Sequence, residues 1–101
     1  MGSWMTLRID DFNWIDKLVD KIVGKHGVNP EEVESALLNV DPLPCVWKKG
    51  SRYLALAQVE DDGEYLFIVF DMEPRNVARV ITARPMETNE KRKFRRLRRL
   101  G

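Results

Sequence analysis

At 101 residues, 44% of them hydrophobic, the chain is sized for one domain around a single core. No apolar run approaches the roughly 20 residues needed to cross a bilayer, and the single cysteine, Cys45, excludes an intramolecular disulfide framework. The net charge of +1 conceals a division: residues 1–83 carry 9 basic and 14 acidic side chains, residues 84–101 carry 8 and 2. An acidic body with a basic end suits an anionic partner, or a tail that docks on its own body. The expected location is the cytoplasm, with no membrane association.

Met1-Gly2-Ser3-Trp4 reads as an expression remnant with Met5 as a native start, although the same residues fit an N-myristoylation pattern. Ile15, Leu18, Val19 and Ile22 repeat at helical spacing behind Asp10 or Asp11 as cap, predicting a helix over 11–26 that stops at Gly27. Asn29-Pro30-Glu31-Glu32 carries the start signals of a second helix over 30–40, its apolar face Val33, Ala36, Leu37 and Val40.

After Asp41-Pro42 the period changes from helix to strand. Four strands are expected over 43–84, broken at Lys49-Gly50, Asp61-Asp62-Gly63 and Pro74. Cys45 lies in the first of them and reads as a buried structural thiol. Pro85 ends the last strand at Arg84. Residues 86–100 then form an amphipathic helix with Met86, Phe94, Leu97 and Leu100 on one stripe and seven basic residues between Lys91 and Arg99. The predicted class is α+β: two N-terminal helices, a four-stranded antiparallel sheet and a basic C-terminal helix, in one domain over 1–101.

One His and one Cys cannot supply a usual zinc set, and no glycine-rich phosphate loop or nucleophile elbow is present, so neither a metal nor another cofactor is expected. The remaining inventory of arginines, lysines, carboxylates and His26 suits metal-independent RNA cleavage. There the substrate supplies its 2′-hydroxyl as nucleophile, and the protein positions the strand and stabilises charge on the phosphate. Arginine fits that last task through its planar fork of donors.

Trp14, Lys25-His26-Gly27-Val28 with Glu31-Glu32, then Gly50-Ser51-Arg52-Tyr53, then Arg79-Val80-Ile81-Thr82-Ala83-Arg84 with Glu90, together resemble the BrnT family of toxin–antitoxin ribonucleases. The resemblance spans about residues 12–95. It implies a RelE-like fold, cleavage of mRNA, and a DNA-binding antitoxin as protein partner. Phe70 and Phe94 stand where that family often has Tyr or another polar ring, which raises the alternative of a degenerate module that binds nucleic acid or protein without cleaving.

Arg84, Arg79 and Arg52 are the candidate phosphate ligands, with His26 and Glu90 as candidates for proton transfer or positioning. Each has a structural alternative. Arg84 can pair with Glu90 or Glu87, Arg79 with a nearby carboxylate, and Arg52 can be plain surface charge. His26 suits a helix C-terminus as well as it suits acid–base work. Lys91, Arg92, Arg95, Arg96 and Arg99 are the candidate nucleic-acid contacts.

Overall fold

The computed structural model describes residues 5–100 and, of their side chains, those up to Arg98. Residues 1–4, read above as an expression remnant, and the Arg99 side chain lie outside the described residues. The elements run β1 (Asp11–Asn13), α1 (Asp16–His26), α2 (Pro30–Leu38), β2 (Cys45–Lys49), β3 (Arg52–Gln58), β4 (Tyr65–Glu73), β5 (Val77–Pro85) and α3 (Thr88–Leu100). The α+β class and the order of helices and meander are as expected. The sheet is not the four-stranded antiparallel one. It has five strands in the order β1-β5-β4-β3-β2, with β1 parallel to β5 and every other pair antiparallel.

The extra strand comes from the N-terminal segment. Met5, Leu7 and Ile9 turn inward while Thr6, Arg8 and Asp10 are exposed, the alternation of an extended chain. Met5 N–H donates to the Val46 carbonyl on the β2 edge at 2.6 Å, and Asp10 N–H to the Asn76 carbonyl beside β5 at 2.8 Å. One segment thus reaches both edges of the sheet, which blunts each against further pairing. Asp11 is consequently a strand residue, and α1 begins at Asp16 behind Ile15, which provides no side-chain cap.

The helix ends follow local chemistry. Gly27 takes φ 66°, and its N–H and that of Val28 return to the Val23 and Ile22 carbonyls at 3.0 and 3.3 Å. The Glu32 carboxylate accepts the Asn29 N–H at 3.0 Å and opens α2. That helix stops at Leu38, short of residue 40, because Asn39 turns inward and its Nδ2 donates to the Gln58 carbonyl at 3.0 Å. Val40 is left 80% exposed instead of on the apolar face. Asn39→Ala, which strips a buried carbonyl of its donor, is expected to cost about 1–3 kcal/mol, read as a lower denaturant midpoint at unchanged slope.

The sheet separates two apolar clusters. On its inner face Ala55, Ala57, Leu66, Ile68, Phe70, Ala78, Val80 and Ala83 pack against Ile22, Val33, Ala36 and Leu37 of α1 and α2. On its outer face Cys45 and Leu56 pack against Met86 and Phe94, bordered by Trp47, Tyr65, Phe67 and Leu97. Burial raises the Cys45 thiol above its ordinary pKa, in keeping with a structural role. Phe70 and Phe94 are both 0% exposed, Phe70 stacked on Tyr53 at 5.6 Å in the inner core and Phe94 beneath α3. These rings pack the two cores, and their lack of a hydroxyl removes nothing from a surface site. Among the described residues no helix is long and apolar enough to cross a membrane.

Candidate nucleic-acid interface

Strand register lays the outer face out in rows. Cys45, Leu56, Phe67 and Arg84 are cross-strand neighbours, and Trp47, Leu54, Val69 and Thr82 form the next row. The third row holds Lys49, Arg52, Asp71 and Arg79, joined by register and by ion pairs. α3 covers the first row. The second is a half-buried, mainly apolar strip between α3 and the charged third row.

A bulge puts the arginines of β5 on one face. Arg79 and Arg84 are five positions apart, an odd offset, so an uninterrupted strand would point them to opposite faces. Phe70 pairs with Val80 but its neighbour Val69 pairs with Thr82, so Ile81 is the extra residue that reverses the alternation. Arg79 then lies opposite Asp71, and Arg84 opposite Phe67. Their β4 partners Asp71 and Phe67 are four positions apart, about 13 Å along the strand at ~3.3 Å per residue.

Arg84 fastens α3. Its Nη1 and Nη2 donate to the two Glu90 carboxylate oxygens at 2.8 Å each, and its guanidinium stacks 4.5 Å from the Phe67 ring centre. Glu90 also accepts the Glu87 N–H at 2.8 Å, capping the helix N-terminus. The Arg84 hydrogen bond holds the Glu90 carboxyl below its ordinary 4.5, against the opposing effect of burial. A depressed carboxylate stabilises the fold above its unfolded pKa and loses that contribution as pH falls through the lowered folded value. Wild type should therefore lose more stability below about pH 4.5 than Glu90→Gln, and be the more stable at pH 7; denaturant midpoints across that range check it.

Arg52 and Arg79 meet at Asp71. Arg52 Nε donates to Asp71 Oδ1 at 3.1 Å and Arg79 Nη2 to Oδ2 at 3.0 Å. Burial alone would raise the Asp71 carboxyl, but the hydrogen bonds and charges of Arg79 and Arg52 outweigh it and hold the group below the usual carboxylate range. Glu73 stands 3.7 Å from Arg79 Nη1 and accepts Asn13 Nδ2 at 3.2 and 3.3 Å. The Nη atoms of Arg52 make no hydrogen bond among the described residues, and its side chain is 50% exposed, against 38% for Arg79 and 29% for Arg84. Arg52 is the most available of the three.

His26 is elsewhere. It ends α1, which packs on the inner face through Ile22 beside Ala78 and Val80, so the sheet stands between it and the arginines. The BrnT-like stretch around it is the αα-turn. Trp14 is likewise structural, its Nε1 donating to Glu34 of α2 at 2.7 Å.

The basic helix splits into two sets. Lys93 sits 4.5 Å from the Trp47 ring centre, Lys91 and Arg95 each lie 5.9 Å from that of Tyr65, and Arg98 lies 5.5 Å from that of Phe94. These cations flank the docked face. Arg92 and Arg96 are exposed on the opposite stripe. Separately, a groove of about 240 Å³ between the N-terminal segment and the end of α2 is lined by Leu7, Ile9, Leu37, Val40 and Leu43, with Arg8 its one charged side chain. It gathers no reactive groups, and no three metal-ligating side chains converge among the described residues.

The chain matches no protein-family model and no curated protein. Among solved structures it is similar to the Brucella abortus ribonuclease toxin BrnT, with a TM-score of 0.61 at 17% identity, covering 77% of this chain and 97% of that one. The fold is therefore BrnT-like, as the three short sequence stretches implied.

Proposed function

We propose that this protein is a BrnT-type toxin, a single-domain cytoplasmic ribonuclease that cleaves mRNA on the outer face of its sheet and is neutralised by a DNA-binding antitoxin. One observation carries the reading: two arginines from different strands flank one carboxylate beside an open apolar strip, with a basic helix along the far side. The strip seats bases or ribose, and the arginines take the phosphate. The RNA 2′-hydroxyl gives its proton to water and attacks the adjacent phosphorus, the 5′-oxygen leaves and takes a proton from water, and guanidinium donors stabilise the charge gathered on the phosphoryl oxygens. Arg84 contributes by holding α3 against the sheet, and Arg92 and Arg96 offer outward phosphate contacts.

A second reading, an RNA-binding module without cleavage, is favoured by one feature. Among the described residues the carboxylates nearest the arginines, Asp71 and Glu73, are already paired, and His26 is across the sheet. Incubation of the purified protein with an RNA and a DNA of the same sequence, in EDTA, separates the readings. The toxin cuts RNA only, leaving 2′,3′-cyclic phosphate ends. Binding without product identifies the non-cleaving module.

A further inference from the structure

Asp71 carries none of the features that mark a site in the sequence, yet it is the centre of the outer-face cluster. Its carboxylate could form a two-bonded fork with one arginine, the usual strong arrangement. It does not. One oxygen accepts Arg52 from β3 and the other accepts Arg79 from β5, the strands on either side of its own. The carboxylate is the covered member, 17% exposed, with both guanidiniums further out. Arg79 accepts a cost in this position, because its Nε is buried without a hydrogen-bond partner among the described residues. Its placement follows the shared carboxylate and not its own best pairing. Two neighbouring guanidiniums repel without a counter-charge, and Asp71 supplies it from below.

We propose that Asp71 is the positioning residue of a two-arginine clamp, holding Arg52 and Arg79 abreast so that both address one phosphodiester of an RNA strand. The inference rests on the reading of the outer face as the RNA site. Asp71 touches neither substrate nor the reacting atoms, and acts through the two arginines. Its carboxyl, held below the ordinary range, is a fixed anion and not a proton carrier. Lys49, beside Arg52 in the same row, extends the clamp toward the β2–β3 turn.

The test is a double-mutant cycle on cleavage of a short RNA, with kcat and KM determined separately. Asp71→Asn keeps the shape but offers one oxygen in place of two, so one arginine is released. Kcat should fall by about 10²-fold, the scale of a slight misplacement at a reacting centre, with a smaller change in KM. Arg52→Ala should then add little in the Asp71→Asn background, since the clamp is already open. A purely structural Asp71 lowers the melting temperature while kcat and KM of the folded variant stay at wild-type values, and that result overturns the proposal. Additive losses from Asp71→Asn and Arg52→Ala overturn it equally. Should the Asn variant fail to fold, Asp71→Glu, which keeps the charge and displaces it, takes its place in the cycle. A non-additive loss of kcat then supports the clamp, and an additive one overturns it. If wild type cleaves no RNA, the underlying functional reading fails and this proposal falls with it; if wild type cleaves and the cycle is additive, the clamp alone is wrong.

Discussion

Arg52→Ala is expected to lower RNA cleavage by about 10²- to 10³-fold, the usual consequence of removing one donor aimed at developing charge, with the fold intact. The side chain is half exposed and its one hydrogen bond among the described residues goes to Asp71, so its loss leaves no cavity and Asp71 keeps Arg79 as partner. Arg52→Lys should recover little, because a point charge cannot reproduce the planar fork. Arg84→Ala should behave differently. It removes both bonds to Glu90 and the stacking on Phe67, so its first effect is on the docking of α3. Cleavage rates measured beside thermal melts distinguish the two: Arg52→Ala loses rate at unchanged stability, and Arg84→Ala loses both.

The largest stability effect should come from Phe94→Ala, at about 3–5 kcal/mol. Phe94 is fully buried and is the main apolar contribution of α3 to the outer cluster, where it meets Cys45, Leu56 and the edge of Tyr65. Without it, a helix crowded with like charges keeps Leu97, the Arg84 fastening and the cation–aromatic contacts. Arg92→Gln with Arg96→Gln, by contrast, should change stability by less than about 0.5 kcal/mol, as exposed substitutions do. Chemical denaturation of both variants checks the pair. Deleting residues 91–101 is a poor probe of nucleic-acid contact for the same reason, since it removes Phe94 along with the charges. The outward glutamines change charge alone.

Much of the fold was legible in the sequence because it rests on strong local chemistry. Gly27 at a left-handed helix end and Asn29-Pro30 with Glu32 each set a boundary the structure keeps, whereas β5 runs one residue past Arg84 to include Pro85, opposite Leu66. The β1 strand was missed although the alternation from Met5 to Ile9 signalled extended chain, because Asp10 and Asp11 also read as helix caps. Its parallel pairing with β5 is long-range and leaves no mark on a three-residue strand.

The arginines were found by type, and their grouping was not. The bulge at Ile81 decides which face Arg84 occupies, and nothing in Arg79-Val80-Ile81-Thr82-Ala83-Arg84 declares an extra residue. Asp71 was hidden for a related reason. At the end of an apolar strand it looks like a boundary residue, and only sheet register brings Arg52 and Arg79 to it. The pairing of Arg84 with Glu90, one of the alternatives open in the sequence, is the arrangement present.

The central claim is that RNA meets the outer face of the sheet, and the salt dependence of RNA affinity tests it most directly. Each phosphate that is no longer neutralised should reduce the slope of log affinity against log salt by about 0.7 for a single strand. The double variant Arg52→Ala/Arg79→Ala should therefore flatten the slope by about 0.7, for the one phosphodiester the two arginines share. The triple variant Lys17→Ala/Lys21→Ala/Lys25→Ala removes charge from α1, across the sheet, and should leave the slope unchanged. A flattened slope in the α1 variant, with a wild-type slope in the arginine variant, would contradict the account and move the nucleic-acid surface to the helix layer.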